Sequence, residues 1–214
     1  MRTPTSTPVW LWWARAATLA LCLAPAAVLL HRALTDGLGA EPVEAVLIHT
    51  GTWGLRFLLL TLAVTPLCRL TGWRWPVRLR RMLGLASFFW LVGHFGLYLG
   101  LDQGFDWPAI AEDLFTRLPQ MTGFAALLLL IPLAITSTDA MQRRLGGRRW
   151  KRLHRLIYPA AILGVLHFAL MVKADLQQPL LHAAVLVVLL GWRLRSALAL
   201  RRSRQTVTGR GPSL

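Results

Sequence analysis

Six apolar segments, each about 20 residues long, dominate the sequence and restrict the folds that it can adopt. A helix rises ~1.5 Å per residue, so ~20 residues cross the ~30 Å hydrocarbon core of a bilayer. Hydrophobic residues make up 55% of the chain and charged residues 15%, too few polar side chains to cover a soluble fold. The sequence therefore predicts an all-α fold, a polytopic membrane helix bundle of six transmembrane helices. The predicted spans are residues 10–30, 45–67, 82–101, 121–138, 153–172 and 179–198.

The charged residues between these segments alternate in sign along the chain. Arginines crowd the connections between spans two and three and between spans four and five, and the stretch after span six. The other connections carry most of the carboxylates. Because basic loops stay in the cytoplasm, both termini are predicted to be cytoplasmic. The formal net charge of +15 is then a consequence of topology, and no nucleic-acid partner is predicted.

Two segments allow an additional interpretation. The first span, with Arg2 before it, Arg15 within it and small residues at 24, 26 and 27, also fits a signal peptide, whose cleavage would leave the other spans in the same orientation. The long third connection places Ile110, Leu114 and Leu118 at a spacing of four, which predicts a short amphipathic helix on the outer surface.

Two histidines on different spans are predicted to reach the same depth in the membrane. His94 lies 12 residues into span three, ~18 Å from the cytoplasmic edge, and His167 lies 14 residues into span five, ~21 Å from it. Neutral imidazoles are common axial ligands of heme iron, and ionisable residues inside a membrane usually have a function. We therefore predict a bis-histidine heme site between His94 and His167. A proton relay, or two unrelated histidines hydrogen-bonded within the bundle, are the open alternatives.

A second site, nearer the cytoplasm, is ambiguous from the residues. His154 opens span five, 13 residues and ~20 Å below His167. At the matching level of span three the chain has Arg80 instead of a histidine, so an inner heme would have one histidine ligand. Tyr98 and Tyr158 each follow a histidine by four residues, and their hydroxyls are predicted to reach a ligand or a heme propionate.

Glycines and one lysine are predicted to serve the outer site. Gly93, Gly96 and Gly100 recur at spacings of three and four, which would let a porphyrin or a neighbouring helix approach closely. Lys173 is a candidate partner for an outer propionate, or a lysine that extends to the interface.

The remaining sequence features carry less information. His182 is predicted at the membrane interface, and His49 is a weak candidate for a quinone or partner site. No phosphate-binding glycine loop, serine-hydrolase motif or zinc-protease motif is present, so hydrolase and nucleotide-binding functions have no support.

Two neighbouring stretches resemble the signature of a known family. They are Thr-Ser-Thr-Asp-Ala-Met-Gln-Arg-Arg-Leu-Gly at 136–146 and Trp-Lys-Arg-Leu-His-Arg-Leu-Ile-Tyr at 150–158. Supporting residues are Thr-Pro-Leu at 65–67 and Arg-Arg-Met-Leu-Gly-Leu at 80–85. Over residues 38 to 200 the chain is similar to the MsrQ (YedZ) family, part of the ferric-reductase-like transmembrane superfamily.

The resemblance implies a specific division of labour. Members carry one b-type heme or two and are described as binding FMN. They take electrons from the quinone pool or a cytoplasmic flavin reductase. They deliver them to MsrP, a periplasmic molybdopterin enzyme that reduces methionine sulfoxide in envelope proteins. The resemblance thus implies a multi-pass electron-transport protein of the bacterial cell inner membrane.

The resemblance also assigns residues. His94, His154 and His167 match the heme-associated histidines of the family, and hence the iron ligands. The superfamily often has a further histidine 14 residues before the first, where this chain has Arg80. The expected divisions are an N-terminal segment with the first helix (1–37), the heme-binding transmembrane domain (38–200) and a basic cytoplasmic tail (201–214).

Three alternatives follow for function. The chain is predicted to be the redox subunit of an oxidoreductase system, with no catalytic residue of its own. A second heme or a flavin near His154, held by the basic cluster at 148–155, would link the outer heme to the cytoplasm. The rivals are a stand-alone ferric or other metal reductase of the same fold, and a proton-coupled transporter using His94 and His167 as a relay.

Overall fold

A computed structural model describes residues 8–172 and 176–208, with side chains up to residue 199. Eight α-helices account for most of these residues, and the predicted Lys173 and the tail beyond residue 208 lie outside the description. The helices are α1 Val9–Leu34, α2 Pro42–Thr71, α3 Arg80–Leu97, α4 Trp107–Thr116, α5 Leu118–Ile135, α6 Asp139–Leu153, α7 Ile157–Met171 and α8 Gln177–Thr208.

Six helical stretches in the described ranges are long and apolar enough to cross a membrane. They are α1, α2, α3 with a following π turn at Tyr98–Asp102, α5, the run from α6 through α7, and the first part of α8. The prediction of an all-α bundle with six membrane-spanning helices is therefore confirmed. Two short 3-10 turns, Trp75–Arg78 and His154–Leu156, complete the connections.

Local sequence explains where these helices begin and end. Pro42 opens α2, where its missing N–H removes no helical hydrogen bond, and Gly72 follows the helix at a φ of 74°. Thr138 caps α6 by accepting a hydrogen bond from the N–H of Met141. Asp106 caps α4 in the same way through the N–H of Ala109.

The core of the bundle is built around α2. This helix packs along α3, α5 packs along α7, and α8 contacts both α2 and α7. Apolar side chains from four helices meet in one cluster, and the polar Ser87 on α3 is buried by donating to the Gly54 carbonyl on α2 at 2.8 Å. The cluster consists of Leu55, Leu58, Leu59, Leu62, Leu130, Leu133, Ala160, Ala161, Val165, Leu186 and Leu189.

The two ends of the bundle differ in charge, and we name them accordingly. The acidic end contains residues 35–41 and the stretch 102–117 with α4. The basic end contains residues 72–79 and α6. Helices α3 and α7 both run from the basic end toward the acidic end, whereas α2 and α8 run the opposite way.

The connections differ from prediction in two places. The basic stretch before span five, expected to be a loop, is the helix α6, interrupted where Gly146 has a φ of 73°. Its Arg81–Asp139 ion pair joins it to the start of α3. The predicted amphipathic helix exists as α4 with Ile110 buried, but Leu118 starts α5 and is exposed. A break in backbone direction after Thr116 separates them, which spacing alone does not reveal.

Candidate functional site

The histidines of α3 and α7 face each other near the acidic end of the bundle. The ring centroids of His94 and His167 are 6.2 Å apart, and the ring planes are inclined by 73°. Each histidine lies within about one turn of the end of its α-helix, at Leu97 and Met171 respectively. Because both helices run in the same direction, the two rings reach one level, as predicted.

Main-chain carbonyls fix the orientation of both rings. His94 Nδ1 lies 3.1 Å from the Leu47 carbonyl oxygen and 3.3 Å from Thr50 Oγ1, both on α2. His167 Nδ1 lies 2.7 Å from the Pro119 carbonyl oxygen on α5. A carbonyl oxygen accepts, so each Nδ1 carries the hydrogen and each Nε2 retains a lone pair. Within the described part of the chain, no hydrogen bond occupies either Nε2.

Each ring also packs against a glycine of the neighbouring helix. A Cβ at Gly51 on α2 would lie 3.0 Å from His94 Cε1. A Cβ at Gly123 on α5 would lie 2.8 Å from His167 Nδ1. A side chain at either position would collide with a rigid imidazole. The absence of a side chain at the two glycines leaves the space that the rings occupy. Sequence analysis singled out neither glycine, because it could not tell which helix faces which histidine.

The donor set and its spacing fit the axial ligands of a heme iron. Two metal–imidazole bonds of ~2 Å, with ~1 Å from each nitrogen to its ring centre, bring two centroids to ~6 Å across a shared metal. The observed 6.2 Å between His94 and His167 agrees with this value. Tying Nδ1 to a carbonyl while Nε2 binds the metal is the usual arrangement of ligand histidines. These two residues could therefore hold a six-coordinate heme.

The other residues predicted around this pair have different surroundings. A Cβ at Gly93 or Gly96 would meet no atom within 4 Å, so the helix-packing explanation is wrong for these two glycines, while the porphyrin explanation stays a prediction. At Gly100 the neighbour is Phe105, 3.3 Å away. The Tyr98 hydroxyl donates to Asp113 on α4 at 3.3 Å, and Asp113 pairs with Arg117 at 3.0 Å.

His154 is held separately at the basic end. It begins the 3-10 turn before α7, its Nε2 lies 3.1 Å from Thr136 Oγ1, and the Trp150 ring stacks on it with centroids 3.9 Å apart. The Trp150 indole also donates to the Thr136 carbonyl at 2.9 Å. No hydrogen bond joins His154 to Arg80 among the described residues. An inner heme at the level of these two residues stays a prediction.

Arg80 instead belongs to a polar cluster with Arg193 of α8. Arg80 donates to Thr65 Oγ1 at 2.7 Å, and Arg193 donates to Thr65 Oγ1 at 3.4 Å and to the Leu62 carbonyl at 2.9 Å. The Arg193 guanidinium also donates to the Tyr158 hydroxyl and lies 5.1 Å from the Tyr158 ring centroid. The hydroxyl of Tyr158 is therefore engaged with an arginine.

Comparison with known proteins agrees with this arrangement. Residues 50–165 match the family described as ferric reductase like transmembrane component. A protein of Rhodospirillum rubrum named protein-methionine-sulfoxide reductase heme-binding subunit MsrQ is 53% identical over 199 residues, which is 93% of this chain and 93% of that protein. The chain belongs to the MsrQ family.

Other MsrQ proteins extend the similarity over much of the chain. The protein of the same name from Xanthomonas euvesicatoria is 52% identical over 169 residues, 79% of this chain and 77% of its own length. That of Azospira oryzae is 49% identical over 180 residues, 84% of this chain and 77% of its own length. No solved structure matches the chain at comparable significance.

Two features of this MsrQ chain were missed or misjudged from sequence. The burial of His182 was missed: the side chain is 5% exposed and packs edge-on against Phe168 with centroids 5.4 Å apart, while its place at the membrane interface stays a prediction. Arg56 and Arg193 were overlooked as intramembrane charges. The signal was present, since both lie inside predicted spans.

Proposed function

We propose that this chain is the heme-binding membrane subunit of a methionine-sulfoxide reductase system, and that it transfers electrons. The meeting of His94 and His167, with both Nδ1 atoms anchored and 6.2 Å between ring centroids, is the observation that carries the proposal. The curated relatives named as MsrQ heme-binding subunits support it.

A b-type heme bound here would supply a centre that accepts and donates single electrons. His94 and His167 would hold the iron through their Nε2 atoms. The Leu47 and Pro119 carbonyls would keep the rings oriented. Their hydrogen bonds to Nδ1–H would also make the lone pair of each Nε2 more basic and so a stronger metal ligand. A heme held by these two histidines would suit electron transfer rather than binding of a further ligand.

The proposed orientation places the heme near the periplasm. The positive-inside rule assigns the basic end and both termini to the cytoplasm of the bacterial inner membrane. The histidine pair, near the acidic end, then lies in the outer half of the bilayer. From there it would reduce a periplasmic molybdopterin reductase of the MsrP type, which repairs methionine sulfoxide in envelope proteins. In this proposal residues 38–200 form the electron-transfer domain, 1–37 a membrane anchor and 201–214 a basic tail.

The electron donor is proposed as the quinone pool or a cytoplasmic flavin reductase. From the cytoplasmic side, His154 lies 13 residues before His167, ~20 Å away along a helix. A second heme or FMN near His154 would bridge that distance, with the arginines of α6 available for propionates or phosphate. Cofactor stoichiometry in purified protein tests this part. One heme, no flavin and an unaltered spectrum in His154→Ala would exclude an inner carrier at this position.

Reconstitution with the partner tests the central proposal. The purified chain is reduced in nanodiscs and mixed with MsrP and a methionine-sulfoxide peptide. Reoxidation of the heme bands that requires both additions is the expected result. Rapid reoxidation by ferric citrate without MsrP would favour the stand-alone metal reductase instead. Correctly folded protein without heme bands would favour the transporter.

A further inference from the structure

Among the side chains that the structure describes, Asp113 on α4 is the only buried carboxylate, with 5% of the residue exposed. Burying a carboxylate is costly unless it is paired and hydrogen-bonded. The Tyr98 hydroxyl donates to its Oδ2 at 3.3 Å, and Arg117 Nε lies 3.0 Å from its Oδ1. We propose that the buried charge of Asp113 lowers the reduction potential of the heme held by His94 and His167, an inference that deepens the proposed electron-transfer function and rests on it.

Both partners of Asp113 belong to segments that hold the histidine pair. Tyr98 lies four residues after His94, ~6 Å further along the helix axis, and its main-chain N–H bonds to the His94 carbonyl oxygen. Arg117 directly precedes α5 and lies two residues before Pro119, whose carbonyl orients the second histidine. The carboxylate is therefore tied to the end of one ligand helix and to the segment that fixes the other ligand.

The surroundings of Asp113 are apolar on the side of the histidine pair. Phe95 stacks on Tyr98 with centroids 6.0 Å apart and on Phe124 with centroids 5.6 Å apart. Phe95 directly follows His94, so this aromatic stack adjoins the proposed heme site. Charges interact more strongly across such water-poor surroundings than across water. The negative charge of Asp113 is therefore expected to act on the heme.

Arg117 does not cancel this charge, because the two partners differ in exposure. The Arg117 side chain is 62% exposed and the Asp113 side chain 8%. Water and salt screen the guanidinium, whereas the carboxylate acts inside the protein. Ferric iron carries one more positive charge than ferrous iron, so a nearby negative charge stabilises the ferric state and lowers the reduction potential. A lower potential makes the reduced heme a stronger electron donor to a partner at the acidic end.

A purely structural role for the same contacts is the alternative. Asp113 would then only hold α4 against Tyr98 and the start of α5, through hydrogen bonds. Removing either member of the Asp113–Arg117 pair would loosen α4 in the same way and admit water to the heme. An electrostatic role instead requires opposite effects, because the two members carry opposite charges. Neutralising each member in turn therefore separates the two roles.

Redox titration of the purified full chain in nanodiscs, followed by the absorbance of the heme bands, tests the inference. Asp113→Asn should raise the midpoint potential. Arg117→Gln should lower it by a smaller amount, because its charge is screened. The double variant should lie between the two single variants. Glu112→Gln is the matched control, since it removes the same charge from the neighbouring exposed position of α4 and should leave the potential unchanged.

Shifts of the same sign in Asp113→Asn and Arg117→Gln would mean that the pair only keeps water out, and would overturn the inference. A wild-type potential in Asp113→Asn, or an equal shift in Glu112→Gln, would also overturn it. If Asp113→Asn binds no heme, Asp113→Glu should keep the wild-type potential and Arg117→Gln should still lower it, and any other result would overturn the inference. Absence of heme bands in the wild type would contradict the proposed function itself, whereas heme bands with a potential indifferent to Asp113 would leave that function standing.

Discussion

Gly123 lies so close to His167 that a Cβ on the glycine would come within 2.8 Å of the ring nitrogen Nδ1. The same nitrogen donates to the Pro119 carbonyl, four residues earlier on α5, at 2.7 Å. One helix thus sets both the position and the rotation of a histidine on another helix. Gly51 stands in the same relation to His94, with α2 supplying the carbonyl.

Gly123→Ala should therefore displace the His167 ring and reduce heme binding. Inserting a methyl group into this contact is expected to cost about 1–3 kcal/mol in stability, because the ring cannot deform. The measurement is the ratio of heme absorbance to protein, together with the unfolding temperature. Gly191→Ala is the matched control, since a Cβ there meets nothing within 4 Å. Equal heme content in the two variants would contradict the role given to Gly123.

Arg193 and Tyr158 are predicted to be energetically coupled across α7 and α8. The Arg193 guanidinium donates to the Tyr158 hydroxyl and lies over the Tyr158 ring. Both contacts are lost when either side chain is replaced. A double-mutant cycle with Arg193→Gln and Tyr158→Phe should give a coupling energy of about 1 kcal/mol or more in thermal unfolding. Arg195→Gln, exposed on the same helix, should show no coupling to Tyr158→Phe. A coupling energy of zero for Arg193 would mean that the contact does not stabilise the bundle.

The sequence predicted the larger features of this fold because they depend on length and rise. A span of ~20 apolar residues has one way to cross a bilayer, and counting ~1.5 Å per residue brought His94 and His167 to one level. Both predictions needed no knowledge of which helices are neighbours.

The features that sequence reasoning missed depend on helix neighbours. The role of Gly51 and Gly123 can be recognised only when it is known that α2 faces His94 and that α5 faces His167. Arg193 lies inside predicted span six, but its contact with Tyr158 follows from the rotation of α8, which the sequence does not give. The helix α6 escaped notice because its charges suggested a loop, although a helix at a membrane surface can expose charge all round.

The orientation of the bundle gives a separate prediction. Single cysteines at Glu112 on α4 and Arg149 on α6, both exposed, are introduced after Cys22 and Cys68 are replaced by alanine. A membrane-impermeant maleimide applied to spheroplasts should label position 112 and leave position 149 unlabelled until lysis. The reverse pattern would place the basic end outside the cell and remove the basis for periplasmic electron delivery.

The shared axial ligation by two histidines is tested most directly by difference spectroscopy. Reduced-minus-oxidised spectra are compared for purified wild type, His94→Ala, His167→Ala and His182→Ala. His182 is the control, a buried histidine that packs against Phe168 and whose Nδ1 lies 2.7 Å from the Gln178 carbonyl oxygen. We predict that His94→Ala and His167→Ala lose the same heme bands completely and that His182→Ala keeps them. Wild-type bands in either of the first two variants would contradict the account.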